Sequence, residues 1–189
     1  MSRGSSAVAA TLLLLVGCDN EPTPVEPVEV KNISQLEMRT LLAEHSLLKP
    51  GLYKVTAKIE AVVVPARDDD DMQAQTVLQM IRDRMQSVPG VTSENCLAPN
   101  AAFDPRGAEA PDCQVSAFKL VGNDTDFILV CPTPSGEQIA SSNFTGTVGQ
   151  DSYALTAITK VPVTPGPSAK ARDATLNTKV TGERIGDCG

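Results

Sequence analysis

Tryptophan is missing from this chain altogether, and aromatic residues make up only 3% of its 189 positions. Aliphatic side chains must therefore fill any core, and a hydrophobic content of 41% is enough for one globular domain. Histidine is nearly absent as well. The single His45 excludes multi-histidine metal sites. As a general base it would need a nucleophile and an orienting acid, and no G-x-S-x-G elbow is present. Positive charge is short too, with 16 Lys and Arg against 23 Asp and Glu, a formal charge of −7. That balance argues against nucleic acid and against a polybasic hold on anionic lipid. The glycines fall in turns and strands without phosphate-loop spacing, and there is no C-x-x-C pair. No cofactor is implied.

The N-terminus is where the chain is explicit. Residues 1–17 carry one positive charge, Arg3, and then an apolar run from Ala7 to Val16. That run is shorter than the roughly 20 residues a permanent membrane helix needs, and it reads as an export signal. Leu15-Val16-Gly17-Cys18 resembles the bacterial lipobox, in which a thiol carries the lipid and a small residue precedes the cut. Cys18 is the expected acylation (palmitate) site. Residues 18–30 follow as an acidic, proline-rich tether that cannot pack a core. The remainder, 31–189, is expected to be one domain, held by lipid on a bacterial envelope membrane and facing the periplasm.

Setting Cys18 aside leaves Cys96, Cys113, Cys131 and Cys188, an even number suited to two disulfides in an exported domain. "CQVSAFKLVGNDTDFILVC" consists of two apolar-rich runs around Gly122-Asn123-Asp124. Folding that hairpin about its turn brings Cys113 to Cys131. Cys96 then pairs with Cys188.

Along the domain, Lys31–Leu48 has apolar residues at helical spacing, with Ser34 and Glu37 placed for a capping box. "GLYKVTAKIEAVVVP" alternates like a half-buried strand. Four aspartates, Asp68, Asp69, Asp70 and Asp71, lead into an amphipathic helix whose N-terminus favours negative charge. Residues 89–112, rich in Pro, Ala and Gly, read as a long irregular connection. The hairpin and three further strands follow. The expected fold is α+β and mainly β: a curved antiparallel sheet, meander or half-barrel, of about six strands with one or two helices and two disulfides.

Several segments together are familiar. "KPGLYKV", "ENCL", "DCQVS" with "VC", and the terminal "GERIGDC" resemble, in that order, the domain of unknown function 3617 family of proteobacterial exported proteins. The resemblance covers residues 50–188, with Tyr53 standing where the family usually has Trp. It implies an exported, disulfide-bonded, mainly antiparallel domain, and brings no established activity and no catalytic residues.

The expected function is thus a membrane-anchored envelope lipoprotein acting as a non-enzymatic binding or interaction module. Its partner would be an envelope protein or an apolar small molecule. Tyr53, Val55, Phe118, Phe144, Tyr153 and Leu155 are candidates to line a cavity inside the curved sheet. A filled core with an exposed apolar patch would instead favour a protein partner. Asp68 to Asp71 are weak cation candidates, because adjacent aspartates cannot all point at one ion. The alternatives are a hydrolase with an unrecognised carboxylate site, or a structural or stress-response component of the envelope.

Overall fold

The computed structural model describes residues 26–68, 70–107, 113–132, 139–164 and 170–189. Ten elements follow in chain order: β1 (Val28–Ser34), α1 (Gln35–Glu44), β2 (Gly51–Val63), α2 (Met72–Gln86), β3 (Val91–Leu97), β4 (Gln114–Val121), β5 (Asp124–Pro132), β6 (Ile139–Val148), β7 (Ser152–Val163) and β8 (Arg172–Gly186). All eight strands form one open antiparallel sheet in the order β1-β4-β5-β6-β7-β8-β2-β3. β4 to β8 are a meander, each strand paired with the next. β2 then docks on β8 and β3 on β2, while β1 lines the opposite edge on β4. The fold is the expected mainly β one, with both disulfides made as expected, Cys113–Cys131 and Cys96–Cys188.

One face of the sheet is covered. α1 turns Met38, Leu42 and the following Leu47 and Leu48 onto it, against Tyr53, Val55, Phe118, Leu120, Phe127, Phe144, Leu155 and Val180. Further along the same long strands, Leu78 of α2 meets Val62, Val64, Val163 and Ala174 in a second cluster. Glu60 is an extra residue in β2, where the register slips between Ile59 and Ala61. That bulge moves the inward parity from odd to even positions, so Tyr53, Val55, Ile59, Val62 and Val64 all face the helices. The other face is polar, with Lys54, Lys58, Ser152, Lys179 and Glu183 exposed.

Local chemistry explains the boundaries. Ser34 caps α1, its hydroxyl accepting from the Glu37 N–H at 3.1 Å, while the Glu37 carboxylate accepts from the Ser34 N–H at 2.7 Å. Gly122, at φ 60°, opens the two-residue turn of the β4–β5 hairpin. Gly182 is required for a different reason. A Cβ there would lie 2.1 Å from the Tyr153 ring, which crosses the strand at that point.

Three expectations are corrected. The tether does not extend to residue 30, because Val28, Val30 and Ile33 alternate with Glu29 and Lys31 and pair with β4. The predicted helix over Lys31–Leu48 is accordingly only ten residues long. Residues 89–112 are not irregular throughout. Val91–Leu97 pairs with β2, which with β1 raises the strand number from about six to eight.

Candidate functional site

The six residues expected around a cavity do converge, but in a filled interior. Tyr53, Val55, Phe118, Phe144, Tyr153 and Leu155 are each no more than 4% exposed and belong to the main core. Phe144 stacks on Phe127 at 4.9 Å. Phe103, from the connection after β3, meets Tyr153 edge-on at 5.3 Å. The space left beside Tyr53, Val55, Phe103 and Tyr153 is about 10 Å³, no more than a single water occupies. The helix, Leu47, Leu48 and Phe103 take the room in front of the six residues.

Both tyrosines spend their hydroxyls on the fold. Tyr53 Oη donates to the Lys49 carbonyl at 2.8 Å and lies 3.3 Å from that of Gln150, and Tyr153 Oη donates to the Pro105 carbonyl at 2.9 Å. Burial pushes both phenols up from their ordinary range, so neither is a ready acid. Arg39 is more unusual. It is 2% exposed, and among the described residues its Nε and Nη1 have no hydrogen-bond partner. Burial pulls its hold on the proton down, partly offset by the neighbouring Tyr53.

The aspartate run is divided among structural tasks. Asp71 caps α2, its carboxylate accepting from the Ala74 N–H at 2.7 Å. Asp70 receives both terminal nitrogens of Arg172, at 2.6 and 2.5 Å, and the Arg67 N–H at 2.8 Å. Those bonds hold its carboxyl down at about 2. Asp68 lies in a turn, and Asp69 falls outside the described residues. No group of three or more potential metal ligands forms among the described residues, and the oxygens that might have converged on a cation are committed to an arginine and a helix end. His45 closes α1 on an exposed face, its Nδ1 2.8 Å from the Leu41 carbonyl. Cys18 lies outside the described residues.

The larger concavity is on the face the helices leave bare. A hollow of about 660 Å³ is lined by Lys54, Thr56, Asn123, Thr147, Ser152, Thr181 and Glu183, together with backbone at Gly149 and Gly182. Its floor is built by register. Thr56 opposes Thr181 and Lys54 opposes Glu183 across β2–β8, while Ser152 opposes Glu183 across β7–β8. Four hydroxyls, one amide, one amine and one carboxylate therefore line it, with Tyr153 and Ala154 completing the lining. Lys54 and Glu183 form no ion pair although they are neighbours. The signal was present in the sequence as hydroxyl residues at the outward positions of β2, β6, β7 and β8. Strand order, which brings β2 beside β8, could not be read locally.

The start of β2 and the end of β8 meet at the same end of the sheet as the hollow. Arg184 donates from Nε to the Pro50 carbonyl at 2.8 Å and from Nη2 to Asp187, and its backbone N–H donates to Asp151. A Cβ on Gly51 would lie 2.4 Å from that guanidinium, so the Pro-Gly pair is a seat for the arginine. No curated protein and no solved structure matches the chain. A family described as proteins of unknown function, DUF3617, matches residues 48–188, which is β2 to the end of β8 and leaves β1 and α1 outside. On that match, which takes in both disulfides and the Arg184 seat, the chain belongs to the DUF3617 family.

Proposed function

We propose that this is a lipid-anchored envelope protein, acylated at Cys18, whose domain acts as a non-enzymatic binding module through the bare face of its sheet. The observation that carries the reading is the contrast between the two faces. The covered face keeps about 10 Å³ beside its tyrosines, whereas the bare one offers about 660 Å³ of solvent-open, hydroxyl-rich space. Such a lining suits a polar ligand held by several hydrogen bonds, with Lys54 and Glu183 free to meet opposite charges on it. Beside the tyrosines, an apolar small molecule finds no comparable room.

A second reading has its own support. Met72 and Met80 on α2 are 84% and 66% exposed, and exposed methionines suit an adaptable protein contact. The hydrolase alternative has little to draw on. The buried carboxylates Asp70 and Asp104 are each locked to an arginine, Arg172 and Arg106.

The test is photo-cross-linking in cells from p-benzoylphenylalanine placed at Thr56, Thr181 or Met80, with palmitate labelling of wild type and Cys18→Ser. We expect adducts from Thr56 and Thr181, and label lost in Cys18→Ser. Adducts from Met80 alone would move the binding face to α2, and unlabelled wild type would remove the anchor.

A further inference from the structure

The hairpin disulfide has an unusual neighbour. Cys113 stands immediately before β4 and Cys131 is the second-last residue of β5, so the bridge closes the open end of the β4–β5 hairpin. Both residues are 6% exposed. Against them lies a turn at Asp104–Gly107, closed by the Gly107 N–H on the Asp104 carbonyl at 3.1 Å. The buried Asp104 carboxylate accepts from the Arg106 backbone N–H at 2.8 Å, from Nε at 2.9 Å and from Nη2 at 2.5 Å. The guanidinium is thereby fixed, and its Nη2 lies 3.5 Å from Cys131 Sγ and 3.9 Å from Cys113 Sγ.

A disulfide sulfur is a weak acceptor and gives such a donor little. A thiolate is a strong one, and a neighbouring guanidinium stabilises it. The arrangement therefore gains most when the S–S bond opens with the negative charge on the nearer sulfur. The other bridge has no such feature: among the described residues, no basic side chain donates to Cys96 or Cys188, although Cys96 is the more exposed.

We propose that Cys113–Cys131 is a thiol–disulfide exchange site for small thiols of the glutathione kind, attacked at Cys113 with Cys131 leaving as the thiolate held by Arg106. In that step the incoming thiolate bonds to Cys113 Sγ as the S–S bond breaks. The electron pair of that bond departs on Cys131 Sγ, giving a mixed disulfide and one protein thiolate. No proton and no further oxidant is needed, and the reverse attack restores the bridge. Access requires opening of a strand end and leaves the rest of the sheet paired.

The experiment uses the folded protein with both bridges intact. It is incubated with glutathione, quenched with acid, alkylated and mapped by mass spectrometry, for wild type, Arg106→Gln and Arg106→Lys. Alkylation rates against pH then give the thiolate midpoint of Cys131 after reduction. The expected product carries glutathione on Cys113 with Cys131 free. Arg106→Gln slows exchange at this bridge several-fold and raises the Cys131 midpoint by roughly one pK unit, while the Cys96–Cys188 rate stays unchanged. Arg106→Lys falls between. The proposal is overturned by glutathione found mainly on Cys131, by an Arg106→Gln rate and midpoint equal to wild type, or by equal changes at both bridges.

Discussion

Arg39 and Asp70 show opposite fates for a buried charge. Asp70 is matched by Arg172 in a pair whose side chains are 3% and 5% exposed, whereas two nitrogens of Arg39 are buried without a partner among the described residues. An uncompensated buried cation costs stability that a well-packed apolar side chain would not. Arg39→Met should therefore raise stability by about 1 kcal/mol or more, read as a higher urea midpoint. A lower midpoint would show that Arg39 has a partner in solution. The Asp70 pair predicts a pH dependence of definite sign. Its carboxyl titrates near 2 in the folded protein against an ordinary 3.8. The stabilisation is thus complete above the ordinary value and is lost as pH falls through the folded one. Urea midpoints measured between about pH 5 and pH 2 should fall steeply for wild type and less steeply for Asp70→Asn. Equal slopes would contradict the pairing. Neither fate was legible locally, since Asp70 and Arg172 are 102 residues apart.

At the scale of elements, what the sequence disclosed and what it hid have separate causes. The β4–β5 hairpin and the cap of α1 were legible because turn chemistry and capping act within a few residues. β1 and β3 were missed because they are edge strands. β1 shows only half-buried and exposed residues, and only Leu97 of β3 is buried, so their patterns carry little of the apolar signal that betrays an inner strand. The filling of the expected cavity was hidden for a related reason. Alternation identified Tyr53, Val55, Phe118 and Phe144 as inward-facing, which they are. It could not reveal that Leu47, Leu48 and Phe103, from segments outside the regular elements, would fill the space in front of them. α1 adds Met38 and Leu42 to that filling. Leu42, 1% exposed, should cost about 2–5 kcal/mol on replacement by alanine, measured by denaturant unfolding. A loss below about 1 kcal/mol would mean that α1 is loosely seated.

For the molecule as a whole, the two bridges constrain the chain over different distances. Cys113–Cys131 spans 18 positions within one hairpin, while Cys96–Cys188 spans 92 and ties the edge strand β3 to the C-terminus. In the loop-entropy view the shorter is worth roughly 3 kcal/mol and the longer between about 4 and 5. Replacing Cys96 and Cys188 by serine should therefore lower the melting temperature more than the same change at Cys113 and Cys131. The reverse order would place the stabilising role in the hairpin and weaken the exchange role proposed for it. Among the described residues, the sheet so braced has one face closed by helices and loops and one face open, and the functional reading depends on that division. Titration of the folded protein with the apolar fluorophore N-phenyl-1-naphthylamine tests it most directly. A filled interior predicts no saturable fluorescence rise. Saturable one-to-one binding, competed by a fatty acid, would contradict the account and restore the inner face as the binding site.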